Sequence, residues 1–297
     1  MTSEVDKPSV SSEIQTPSIE EWLRDLYAEN GCDDPWSIPR HAACRVLKES
    51  GIPCYIWAED ALAYYGVPTV LFDVHIVVDD VQKAVDVLVN RGWSSPPAEF
   101  QGRYKDIREE MYYLVEPQRD SSETDRTPMD PLNFVVALLA ASDWNVKLPD
   151  LSSPTYCHPQ RDDRWPFIPP LPDLIDSLIQ RWLDAPDEHL DFRMFLAIYL
   201  GYLYRYVPIL RSPEFSHCLR IEHRQYHFDV IAGVSVGTEP YRAHQRKVRD
   251  SIRKGEYELR DCSVEKDDER FFTGRVEARL LASLSSKSMS NERQASL

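Results

Sequence analysis

The 297 residues carry 49 acidic side chains against 34 Lys and Arg, a formal charge of -15 that repels phosphate backbones and anionic lipid and makes nucleic acid an unlikely partner. A hydrophobic fraction of 42% at this length is that of a globular chain able to bury one large core or two modest ones. Six cysteines form no C-x-x-C pair, the N-terminus lacks the charged-then-apolar order of a signal peptide, and the most apolar long run, 192–210, is interrupted by Arg193, Arg205 and Pro208. A cytoplasmic protein with free thiols, no membrane span and no membrane partner is expected.

Residues 1–17 are rich in Ser, Thr, Pro and Glu and hold too few large apolar side chains to offset the entropy of ordering, so disorder is expected there. Ser18 then opens a helix in which Ile19, Trp22, Leu23 and Leu26 recur at helical spacing. A second helix starts at Ser37-Ile38-Pro39 and turns Ala42, Ala43, Val46 and Leu47 inward, with Gly51 at its end. A strand over 54–57 and a compact helix over 59–65, closed by Gly66 and Pro68, follow.

The run T-V-L-F-D-V-H-I-V-V-D at 69–79 reads as the central strand. Strand side chains alternate between faces, which puts Val70, Phe72, Val74, Ile76 and Val78 on one side and Leu71, Asp73, His75 and Val77 on the other. Both faces are largely apolar, the pattern of a strand covered on both sides. Asp79 or Asp80 caps the next helix, whose Val81, Ala84, Val85, Leu88 and Val89 form one face ahead of Gly92.

Further strands are expected over 111–115 and 132–141, separated by an acidic, Ser/Thr-rich loop or disordered insertion, and the latter ends at Ser142-Asp143-Trp144. Seven prolines between 149 and 172 mark 149–170 as a linker. The rest reads as helical. An apolar stripe runs from Leu171 to Trp182, a long helix restarts at Ala185-Pro186 and continues through Tyr206, and another opens at Ser212-Pro213 and passes His227. A basic helix over 240–254, a last helix over 276–284 and a disordered Ser-rich tail over 285–297 complete the chain. The expected architecture is an α/β (α+β) domain over 18–148 with a mixed sheet flanked by helices, then a helical domain over 171–284.

Two ligating side chains at i and i+2 on a strand share one face about 7 Å apart, a spacing that can clamp divalent ions. Asp73 and His75 are such a pair, and Asp143 is the best placed third acid on a neighbouring strand. The element order, with A-L-A-Y-Y-G-V-P at 61–68 and F-D-V-H-I-V-V at 72–78, resembles the minimal nucleotidyltransferase fold over roughly 37–145. The strings A-S-D-W at 141–144, Y-L-Y-R-Y at 202–206 and E-H-R-Q-Y-H-F-D at 222–229 are similar to a group of fungal proteins with such a core, and bring no particular substrate.

The resemblance implies that Asp73, His75 and Asp143 take the family's catalytic and metal positions, with Mg²⁺ or Mn²⁺ as the ion and a nucleotide or small molecule as ligand. Glu59 and Asp60 stand where the family's glycine turn contacts the nucleotide, and their bulk and charge oppose a triphosphate there. His75 replaces a carboxylate, and imidazole is a poor ligand for Mg²⁺. The expectation is therefore a degenerate member with a binding or regulatory role, and the alternative an active nucleotidyltransferase using Asp73, Asp143 and Glu59 or Asp60.

Weaker motifs compete. His223 and His227 share the i, i+4 spacing of zinc histidines, but Arg224 stands where H-E-x-x-H needs Glu, so a packing pair is expected. Cys157-His158 and His217-Cys218 are adjacent residues that diverge on any regular element. Arg242, Arg246, Lys247, Arg249, Arg253 and Lys254 form either a solvated face paired with the acidic remainder or a stripe for an anion, tRNA or partner. Tyr199, Tyr202 and Tyr206 are expected in the core rather than as a base-stacking platform.

Overall fold

Four short apolar runs pair into one mixed sheet, and everything else is arranged on its two faces. The computed structural model describes residues 39–98, 100, 102, 104–117, 135–148, 168–265, 268 and 270–272. The helices expected from Ser18 and over 276–284, the disordered ends, the insertion over 118–130, Cys157-His158 and the linker over 149–167 lie outside these residues.

A 3-10 turn, Pro39–His41, leads into α1 (Ala42–Glu49); β1 (Cys54–Trp57), α2 (Ala58–Tyr64), β2 (Val74–Val78) and α3 (Val81–Asn90) follow. A 3-10 stretch, Lys105–Glu110, precedes β3 (Met111–Val115), and β4 (Val135–Ala140) runs directly into α4 (Ala141–Trp144). The sheet order is β1-β2-β4-β3. β2 lies antiparallel to β1, with Trp57 opposite His75, and parallel to β4, with Val74 opposite Val136 and Val78 opposite Ala140.

The alternation along β2 is as the sequence implies: Val74, Ile76 and Val78 pack with α1 and α3, while Val77 joins the core on the other face. Asp80 caps α3 by accepting from the Lys83 backbone N-H at 2.9 Å. Gly66 ends α2 with φ 84°, a conformation that costs a residue with a Cβ.

The central strand is shorter than the run 69–79 suggests. Val70, Leu71 and Phe72 are 67%, 42% and 51% exposed, because β1 has already turned at Trp57 and the β4 register meets β2 only from Val74. Without a ladder on either side, apolar alternation alone does not hold a strand.

The second half contributes α5 (Leu171–Asp184), α6 (Leu190–Tyr206), α7 (Arg224–Ile231) and α8 (Glu239–Arg253). The stripe Leu171, Leu174, Ile175, Leu178, Ile179 and Trp182 is buried, and shares a continuous core with Tyr55, Trp57, Val77 and Leu139 of the sheet. α6 begins later than Ala185-Pro186, since guanidinium groups of Arg242 and Arg246 hold the Ala185 carbonyl and keep 185–189 as a turn.

The helix expected from Ser212 is instead a series of 3-10 turns, Pro213–Cys218 and Ile221–His223, before α7. Asp176 draws the chain out of helical geometry there by accepting the Arg220 backbone N-H at 3.0 Å. Among the described residues no helix is long and apolar enough to cross a membrane.

Candidate functional site

β1 and β2 run antiparallel, so the end of β1 and the start of α2 lie beside the start of β2. This corner gathers Ala58, Glu59, Asp60, Asp73 and His75. Trp57 is extended, and Ala58 then takes φ 52°, the left-handed region, as the strand turns into α2. A residue with a Cβ pays roughly 1–2 kcal/mol there. The turn therefore keeps a backbone shape suited to glycine although the residue is Ala.

The two acids that follow are turned inward and held by different partners. Glu59 is 1% exposed, and the Tyr199 hydroxyl of α6 donates to its Oε1 at 2.5 Å. Since the Tyr199 proton points to Glu59, the Tyr104 hydroxyl donates to Tyr199 in turn. Tyr104 also covers His75, with ring centroids 5.1 Å apart, and His75 Nδ1 lies 3.8 Å from Glu59 Oε2, within ion-pair reach but beyond a hydrogen bond. All four side chains belong to residues no more than 4% exposed. Burial first, then the Tyr104 and Glu59 neighbours, push the Tyr199 phenol well up, so it remains a donor.

Asp60 faces the opposite way. Arg40 binds it with both Nε and a terminal nitrogen, at 2.7 and 2.8 Å, and His41 Nε2 lies 3.3 Å away. Burial raises the carboxyl, but the Arg40 and His41 hydrogen bonds and charges outweigh it and hold Asp60 down at about 2. This bidentate pair ties the chain before α1 to α2.

Asp73 is half-buried at the bend preceding β2, and His75 is buried inside the strand. Opposite His75 on β4 the parallel register brings Ala137, which cannot ligate a metal. Asp143 is exposed in α4, beyond the far end of β4, where Ser142 Oγ donates to it at 3.3 Å. Asp73 precedes Val74 and Asp143 follows Ala140, the partner of Val78, so about five residues of strand, roughly 16 Å, separate their levels. The fold brings Asp73, His75 and Glu59 to one corner and leaves Asp143 at the opposite end. Asp143 is corrected on this ground: it can share no ion with Asp73.

Compared with family models, curated proteins and solved structures, the chain matches none of them.

Among the described residues, no group of three or more His, Cys, Asp or Glu is placed to hold a metal ion. The donor set at the corner, the Asp73 carboxylate at the strand start, a Glu59 carboxylate bonded to Tyr199 and an imidazole beneath an aromatic ring, with Asp60 engaged by Arg40, does not fit the Mg²⁺ or Mn²⁺ that the resemblance implies, which demands several free hard oxygens. What the corner can do is hold protons and shape. Tyr104, Tyr199 and Glu59 form a fixed hydrogen-bond chain that fastens α6 to the turn after β1.

The lesser motifs resolve into packing. His223 Nδ1 lies 2.7 Å from Asp176 and its Nε2 3.1 Å from Gln180, while His227 Nδ1 accepts from the Tyr204 hydroxyl and Nε2 donates to the Ser212 carbonyl, both at 3.0 Å. The two imidazoles serve separate networks. Burial lowers His227, which fits its neutral role. His217 and Cys218 are exposed on a 3-10 turn.

The basic helix is divided: Lys247, Arg253 and Lys254 are exposed, while Arg242, Arg246 and Arg249 turn onto the end of α5 and pair with Asp184 and Asp187. Arg242 is 1% exposed; its Nε donates to the Trp182 carbonyl and its terminal nitrogens to Ala185 and Asp187. Arg246 donates to the Leu183 carbonyl and Arg249 to Asp184 at 2.5 Å. These cations close the C-terminus of α5, where unsatisfied carbonyls and the helix dipole favour positive charge. Tyr199 is core, as expected, but Tyr202 and Tyr206 are exposed.

Sequence reasoning passed over Tyr104, Asp176 and Gln180. Tyr104 gave no local signal. Asp176 and Gln180 did: polar residues four apart inside the apolar stripe of α5 need buried partners, and His223 provides them.

Proposed function

We propose that this chain is a degenerate nucleotidyltransferase-like protein that acts by binding or regulation and does not transfer nucleotides. The observation that carries the reading is the Tyr199–Glu59 hydrogen bond, with Tyr104 over His75, at the corner where the family admits a triphosphate. A triphosphate there would meet Glu59 in place of a glycine N-H and would have to displace two tyrosines from a packed core. The left-handed Ala58 supports kinship of fold, because the turn retains a glycine-like backbone after the glycine is gone.

A thermal-shift screen of nucleoside triphosphates with and without Mg²⁺ tests the reading, since a ligand bound only by the native state raises the midpoint. The expected result is no Mg²⁺-dependent rise. A rise that needs Mg²⁺ and vanishes in Asp73→Ala would favour the alternative, a metal-dependent transferase using Asp73.

A further inference from the structure

Three guanidinium groups converge on one point at the turn 185–189 between α5 and α6. Arg193 lies in the first turn of α6, and Arg242 and Arg246 lie one turn apart on α8. Each is fixed by main-chain carbonyls through Nε and one terminal nitrogen. Arg193 donates to His189 at 3.4 Å and Asp187 at 2.8 Å, Arg242 to Trp182 at 2.8 Å and to Ala185, and Arg246 to Leu183 and, at 3.1 Å, to Ala185. The remaining nitrogen, Nη1, of all three is thereby aimed at the same place. These side chains are 7%, 2% and 34% exposed, so the first two cations are deeply buried.

What stands at that place is one oxygen of an exposed side chain. Asp187 Oδ1 is 2.8 Å from Arg242 Nη1 but 3.7 Å from Arg193 Nη1 and from Arg246 Nη1, within ion-pair reach yet beyond a hydrogen bond. Glu239, also exposed, takes Arg193 Nη1 at 2.5 Å and Arg242 Nη1 at 3.3 Å. Three guanidiniums against these two carboxylates leave one positive charge in excess. Partial burial first, and then the Arg242 cation, lower Arg246 from its ordinary value, as expected of a cation short of counter-charge. The carboxylate offers a single oxygen to all three donors, whereas a tetrahedral dianion can offer a separate oxygen to each and brings the excess to zero.

We infer that Arg193, Arg242 and Arg246 form a binding site for a small tetrahedral dianion, inorganic phosphate or the phosphate group of a small monoester, which takes the place of the Asp187 carboxylate. Asp187 is displaced at little cost, because its side chain is 78% exposed and rehydrates. The donors need not move, since the carbonyls hold them before the anion arrives. Asp184, Glu188 and Asp191, on the turn or next to it, and Glu239 are exposed and repel a longer polyanion, which favours a single phosphate over a triphosphate or nucleic acid. The site is separate from the β1–β2 corner and does not rest on the nucleotidyltransferase reading.

Isothermal titration calorimetry of the full-length protein with sodium phosphate at about pH 8, where phosphate is a dianion, tests this without divalent ions and at an ionic strength matched with chloride. Saturable binding by wild type is expected. Asp187→Asn should tighten it several-fold by removing the competing carboxylate, a gain that a purely structural cluster would not show and that no folding loss can mimic. Arg246→Gln, at the least buried of the three cations, should weaken it about tenfold. Titration with glycerol phosphate separates the two sources: tighter binding than phosphate assigns the site to a monoester, weaker binding to the free ion. No saturable phosphate binding by wild type, binding indifferent to both variants, or tighter binding of ATP than of phosphate would each overturn the inference.

Discussion

Replacing Tyr199 by Phe removes one oxygen and leaves the packing of α6 almost unchanged. The hydroxyl donates to Glu59 at 2.5 Å and receives the Tyr104 proton, and Tyr199 is 4% exposed, so water cannot substitute. A hydrogen bond to a carboxylate is worth about 1.5–3 kcal/mol and a neutral one about 1, which gives an expected loss of about 2–4 kcal/mol. Urea unfolding at constant m-value measures it. Combining Tyr199→Phe with Glu59→Gln should show a coupling of at least about 1 kcal/mol, since the two residues touch. A loss below about 0.5 kcal/mol in the single variant, or additivity in the double, would refute the claim that α6 is fastened at this corner.

Other variants address the remaining supports. Ala58→Gly should leave stability unchanged or raise it by up to about 1 kcal/mol, because relief of the left-handed strain offsets the lost methyl, whereas Ala61→Gly in the same helix should cost about 2 kcal/mol in the same unfolding assay. Arg242→Leu should cost about 2–4 kcal/mol by unbinding the α5 carbonyls; its partner Asp187 is 78% exposed and simply rehydrates, which keeps the loss below that of a fully buried pair. Asp60 has a folded pKa of about 2 against 3.8 unfolded, so its pair stabilises fully above about pH 4 and the stability, about 2 kcal/mol, is lost as pH falls from 4 to 2. Asp60→Asn should flatten that part of the stability-pH curve.

The sheet was legible because each strand is an apolar run bounded by turn residues, and the facing of Val74, Ile76 and Val78 follows from alternation alone. The extra length assigned at Val70–Phe72 was not, since whether a ladder partner reaches a residue depends on where β1 and β4 end. The basic helix shows the same limit. Arg242, Arg246, Arg249 and Arg253 lie on one helical face by spacing, but nothing local says that this face meets the end of α5. At the candidate site, His75 and Glu59 meet because the end of β1 and the start of β2 are neighbours in an antiparallel pair. Asp143 failed because β4 runs parallel to β2, which sends the residues after β4 to the far end of the sheet.

We propose that this corner performs no nucleotidyl transfer, and a direct transfer assay decides it. Purified wild type and Asp73→Ala would be incubated with labelled ATP, CTP, GTP or UTP, Mg²⁺ or Mn²⁺, and a lysate as the source of acceptors. No incorporation by either protein with either ion is expected; incorporation by wild type that disappears in Asp73→Ala would contradict the non-catalytic proposal.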